Sequence, residues 1–114
     1  MSSSLNSFIF KRGDTLTFTV RWRPRKSGIQ NLIGATVTSM AKDFKDSYWS
    51  FDTVVAEDGM SFTCTCVPST TKAFATGNAK WDARVSIGDV VIHTPTVNFV
   101  VVDDITKPPS PIVL

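Results

Sequence analysis

Few residues in this chain have the types needed for chemistry. His93 is the sole histidine of the 114 residues. A Ser or Cys nucleophile needs a base and a third group that orients that base. No spacing in the sequence pairs His93 with Cys64 or with any serine, so no catalytic residue is expected. Cys64 and Cys66 are the two cysteines. On a strand they share one face, and a disulfide between residues two apart would strain an extended backbone. They read as buried thiols in a reducing compartment. With two thiols and one histidine, no structural zinc is expected. Asp43 and Asp46, or the adjacent Asp103 and Asp104, could form a carboxylate pair or a calcium site. Adjacent acids on a strand point to opposite faces, and the loop acids lack a calcium-loop rhythm, so all four read as solvated surface. Neither a metal nor a cofactor is expected.

Two other stretches suggest binding. Arg12-Gly13-Asp14 spells an adhesion tripeptide, but it reads first as a turn between strands. Arg21-Trp22-Arg23-Pro24-Arg25-Lys26 interleaves an aromatic with cations, a combination that can hold phosphates and stack a base. Trp22 continues the inward face of its strand, which leaves the charges outside. The stretch therefore reads as a protein-facing basic loop, and nucleic acid is not an expected partner. Residues 1–26 hold six of the twelve Lys and Arg and one acid, net +5, so the remainder of the +2 chain nets −3. Such asymmetry suits head-to-tail contact between copies or contact with an acidic neighbour.

Positioning these groups requires strands. From Gly77 to Ile87, Ala79, Trp81, Ala83, Val85 and Ile87 alternate with Asn78, Lys80, Asp82, Arg84 and Ser86, the period of a half-buried strand. Asp82, on its outer face, is expected to tie down a neighbouring strand or loop. Leu16, Phe18, Val20 and Trp22 alternate with Thr15, Thr17, Thr19 and Arg21. Ala35, Val37, Ser39 and Ala41 offer a small-residue face that would make room for Trp22 or Trp81 across the core. Tyr48 to Val55 reads as one strand, with Trp49, Phe51 and Thr53 on one side. Met60, Phe62, Cys64 and Cys66 mark another, which Pro68 stops. Short strands also fall at Phe8-Ile9-Phe10, at Val90 to His93 and at Val97 to Val101. Ser69 to Thr76 is the only helical turn expected, capped by Ser69 and dropping an apolar plug at Ala73-Phe74-Ala75. Turn signals lie at Gly13-Asp14, Glu57-Asp58-Gly59 and Gly88-Asp89. About eight short strands and at most one helical turn make an all-β chain, an antiparallel sandwich or barrel.

The length suits one domain with a real core. Residues 1–6 read as a polar N-terminal arm, 7–106 as the β-sandwich domain, and 107–114 as a Pro-rich C-terminal arm with an apolar tip, Ile112-Val113-Leu114. Extended arms that Pro has already restricted reach neighbours at small entropic cost. No apolar run approaches the length of a membrane span, so no membrane association is expected. The first residues lack the basic start and apolar stretch of a secretory signal, and synthesis in a cytoplasm is the expectation.

Arg12 to Asp14 before the first long strand, Gly34 with Ala35, Gly77 with Trp81 and Asp82, Gly88 with Val90, and Asp104 with Thr106 form an ordered set. In that order and spacing the chain, over residues 8–106, resembles a group of small tailed-bacteriophage virion proteins and domains. It departs from their pattern at Asn78-Ala79-Lys80, which is longer than the single residue usual between the Gly and the aromatic. The resemblance implies an immunoglobulin-like sandwich and a non-enzymatic structural role in the tail, baseplate or neck of a virion assembled in a host bacterium. Other phage virion proteins and further copies of the chain are the partners it implies. Arg21, Arg23, Arg25, Lys26, Ile112, Val113 and Leu114 are the expected assembly contacts. A capsid decoration protein, or a module binding a host-surface glycan or protein, is the alternative.

Overall fold

A computed structural model of the chain describes residues 7–24 and 28–105. The expected assembly contacts Arg25, Lys26, Ile112, Val113 and Leu114, and both of the expected arms, lie outside the described residues. Among these, nine strands and one helical turn form: β1 (Phe8–Lys11), β2 (Leu16–Arg21), β3 (Thr36–Lys42), β4 (Tyr48–Ser50), β5 (Asp52–Val55), β6 (Ser61–Cys66), α1 (Pro68–Thr71), β7 (Gly77–Ile87), β8 (Val90–His93) and β9 (Val97–Val102). They make two sheets. One runs β1-β9-β7-β3-β4, with β8 also on β7; the other runs β2-β6-β5.

The ninth strand comes from Tyr48 to Val55, which is two strands and not one. β4 pairs with β3 in the larger sheet, whereas β5 pairs with β6 in the smaller. The crossing falls at Phe51, which is buried and donates its N–H to the Ser39 carbonyl at 3.0 Å. The Thr53 hydroxyl donates to the Val37 carbonyl at 3.0 Å. Trp49, Phe51 and Thr53 all face inward, because a strand bending around the edge of a sandwich keeps its inner face inside. The alternation therefore carries no mark of the break. The sheet is also not wholly antiparallel. β1 lies parallel to β9, Phe8 opposite Phe99 and Lys11 opposite Val102. These strands lie at opposite ends of the described chain, so no tight hairpin dictates their direction, and the domain between serves as the long connection that parallel pairing needs.

β7 is the spine of the larger sheet. Its inward residues Ala79, Trp81, Ala83 and Val85 are all buried. Trp81 does not meet the small residues of β3 across the core. Ala41 and Trp81 are cross-strand neighbours within one sheet, and the indole N–H donates to the Ser39 hydroxyl at 2.6 Å. Across the core Trp81 stacks on Phe18 of β2, centroids 4.0 Å apart and planes 10° from parallel. Phe18 also meets Phe8, Phe51 and Phe99, so one ring of β2 joins both sheets. Ring pairs in this geometry add about 0.5–1.5 kcal/mol each beyond area burial.

The helical turn begins one residue before the expected start. Pro68 opens it, Val67 precedes it as the cap residue, and no side chain caps it. Pro suits that first position because its missing N–H has no partner there anyway. The plug beneath the sandwich is Phe74, fully buried. Thr71, equally buried, donates its hydroxyl to the Asp14 carbonyl at 2.7 Å and accepts from the Gly13 N–H at 3.0 Å. Arg12 forms an ion pair with Asp103 and donates to the Phe74 carbonyl. The Arg-Gly-Asp turn is thereby fastened to the end of the sandwich.

Candidate functional site

One end of the two-sheet stack carries a groove among the described residues. β2 finishes there at Arg21, β6 begins there, and β7 turns into β8 through Gly88-Asp89, with Ile87 opposite Val90. Between the two sheets lies a groove of about 590 Å³. Val20, Phe62, Val85 and Ile92 form its apolar floor, and Trp22 and Ile29 line one side. Arg21, Arg23 and His93 stand at its rim, all exposed.

Local chemistry explains the shape. Trp22 leaves the ladder after β2, donating its backbone N–H to Met60 at 2.8 Å and its indole N–H to the Ile29 carbonyl at 3.1 Å. Both ends of the basic loop are thus tied to the groove wall. Pro95 cannot donate to a ladder, so the strand returning from Gly88 is divided into β8 and β9. At the division, the Thr94 N–H donates to the Ala83 carbonyl and the Thr94 hydroxyl accepts from the Ala83 N–H, both at 2.9 Å. The side chain of Thr94 replaces a ladder bond while the backbone turns aside.

The structure brings Arg21, Arg23 and His93 to one groove. Lys11 and Arg12 are elsewhere: β2 carries the chain the length of the sandwich between the two groups, and Arg12 is paired with Asp103. The basic excess of the N-terminal segment is therefore divided between opposite ends.

Among the described residues that line the groove, no serine or cysteine accompanies His93. Cys64 and Cys66 are free, buried, and on the stretch of β6 that leads away from Phe62, the one β6 residue in the groove. Burial pushes the Cys64 thiol up, against a smaller opposing effect of its hydrogen bond with Ser39. Burial, with Asp52 adding to it, pushes Cys66 up to about 11. Both thiols are held protonated, the reverse of an activated cysteine. Among the described residues, no three His, Cys, Asp or Glu side chains converge as a metal site would require.

Asp43 is not the solvated acid the sequence suggested. It is buried, and its carboxylate accepts four hydrogen bonds. Oδ1 takes the Lys45 and Ser47 N–H groups, and Oδ2 takes the Trp49 indole N–H at 2.9 Å and the Ala75 N–H at 3.0 Å. Burial raises its pKa, but donors from Ala75, Trp49, Ser47 and Lys45 outweigh that and hold it below the ordinary aspartate value of 3.8. It is a structural clamp between the β3–β4 loop and the segment before β7. Asp46 stays exposed, 3.5 Å from Lys42. The Asp82 side chain, expected to tie down a neighbour, makes no hydrogen bond or ion pair with the described residues; it lines a shallow hollow of about 260 Å³ with Met40, Tyr48 and Lys80. The sequence signal that could have found Asp43 is Asp-x-x-x-Ser in a loop, where Asx side chains cap nearby N–H groups.

Comparison with known proteins returns no matching family model and no matching curated protein. The phage-virion resemblance rests on the residues quoted for it.

Proposed function

We propose that this protein is a non-enzymatic structural subunit of a tailed-phage virion. It is an immunoglobulin-like sandwich, made in the host bacterium and carried in the tail, baseplate or neck, that joins neighbouring virion proteins and copies of itself. Strand order supports the fold. A five-strand path with the first strand parallel to the last, facing a three-strand sheet, is compatible with a variable-type immunoglobulin arrangement. The observation that carries the role is the groove: an apolar cleft with a cationic rim, open at one end of the sandwich, suits a neighbour's apolar side chains and acidic flank. The basic loop reaches that rim through Arg21 and Arg23.

The test is incorporation. Protein lacking residues 107–114, or carrying Arg21→Glu and Arg23→Glu, is expected to fold as the parent does and to be missing from purified particles. Normal incorporation of both would end the proposal. A second reading, a host-surface binding module, draws on the same groove, because loops at the end of a sandwich are a common recognition surface. Binding of the isolated protein on a glycan array would favour it.

A further inference from the structure

Residues 84–86 of β7 pair with β3 on one side and β8 on the other, and residues 80 and 81 pair with β3 and β9. β8 and β9 therefore follow one another along the same side of β7. β1 covers the outer edge of β9 only, from Phe99 to Val102. Among the described residues no strand covers the outer edge of β8, and the groove opens beside it. Val90 and Val91 of that edge are 44% and 46% exposed. An uncovered edge beside an apolar cleft is a place for one more strand.

We propose that this lane receives residues 111–114 of a second copy of the chain, Pro111-Ile112-Val113-Leu114, as an added strand beside β8. The inference rests on the assembly reading and names the contact that assembly would use. Side chains two apart share a face, so Ile112 and Leu114 enter the groove together, over Val20, Phe62, Val85 and Ile92. Pro111 stands at the first residue of the added strand, where a missing N–H is tolerated. The chain's own residues 1–6 are a poorer fit. A strand continuing β1, with Phe8 and Phe10 inward, would set Asn6, Ser4 and Ser2 against an apolar floor.

Distance decides between the same copy and a second one. Val101 lies opposite Gly77 and Ile92 opposite Val85, eight residues apart along β7, or about 26 Å at the rise of a strand. The described chain leaves at Ile105, beyond that far end and 91% exposed. Nine residues fully drawn out reach about 30 Å, so a copy's own segment would be spent reaching its groove. A second copy's segment starts next to it. The contact is head-to-tail, which closes into a ring or continues as a filament.

Sedimentation of the full chain tests this. The parent is expected to associate with concentration. Val90→Asp and Ile92→Asp block the lane, and Ile112→Asp with Leu114→Asp blocks the added strand; each set alone is expected to be monomeric with parental circular dichroism. Because Val90 is partly exposed, that variant keeps the test open if Ile92→Asp fails to fold. A lane-blocked chain mixed with a strand-blocked chain retains one sound contact, so 1:1 dimers and nothing larger are expected. A monomeric parent, association indifferent to these variants, or dependence on Leu5→Asp in place of Ile112→Asp would overturn the inference. A parent that is monomeric in solution yet incorporated into particles would leave the assembly reading standing and remove this contact.

Discussion

Asp43→Asn tests the strongest polar feature of the fold. The parent carboxylate accepts four N–H groups, two on each oxygen. An asparagine keeps one oxygen and turns an NH₂ toward the other pair. Either the Lys45 and Ser47 amides or the Trp49 indole and Ala75 amide then lose their acceptor. Leaving a fully buried donor unpaired costs about 1–3 kcal/mol, so for these part-buried pairs about 2–6 kcal/mol is the upper range. That is a large share of the roughly 5–15 kcal/mol that holds a domain together. At about 4 °C per kcal/mol for a domain of this size, that upper range corresponds to a fall in melting temperature of about 8–24 °C. Thermal unfolding followed by circular dichroism at pH 7 measures it. The pH dependence supplies an independent check. The folded pKa lies below the unfolded value of 3.8, so the native state binds fewer protons between the two. The stability this carboxylate contributes is fully present above 3.8 and is lost as pH falls through the folded value. The gap between parent and variant should therefore narrow below pH 3.8. A loss under about 0.5 kcal/mol at pH 7, the range of an unremarkable surface change, would refute the clamp.

Ser39→Ala strands the buried Trp81 N–H and is expected to cost about 1–3 kcal/mol by chemical denaturation; adding Trp81→Phe should recover part of that loss, since the donor is then gone too. Gly77 has φ +122°, and a Cβ there would sit 2.8 Å from the Phe44 ring. Gly77→Ala should lose more than about 1 kcal/mol in melting, and Phe44→Ala should relieve the clash without relieving the backbone strain. Cys64 and Cys66 should resist a thiol reagent at pH 8 in the folded protein and react promptly in denaturant; fast labelling of the native state would contradict their burial. Arg12→Ala removes an ion pair whose partner Asp103 is 57% exposed, so a loss near 1 kcal/mol that shrinks with salt is expected.

Most of the fold was legible where a single rule governed. The alternation around Trp81 fixed both the strand and its buried face, and Gly88-Asp89 marked its hairpin. The rule was silent where two alternatives share one pattern. A strand that runs straight and a strand that changes sheets at Phe51 keep the same residues inside, so Tyr48 to Val55 looked continuous. The parallel pairing of β1 and β9 leaves no local trace either, since its partners are some 90 residues apart.

Charge was the least legible property, because sequence gives its sign and the fold decides its environment. Asp43 and Asp46 are three residues apart, yet one is buried under four donors and the other faces solvent beside Lys42. Asp82 looked like the residue that ties elements together, and Asp43 holds that position instead. The groove follows the same logic. Its cations were visible as a run, but Arg12 belongs to the opposite end, and the floor beneath Arg21 and Arg23 comes from four separate strands. Val20, Phe62, Val85 and Ile92 are ordinary inward residues of β2, β6, β7 and β8. They meet in one groove where Pro95 divides the returning strand and no described strand covers the outer edge of β8. A groove beside an edge that no described strand covers has no motif of its own.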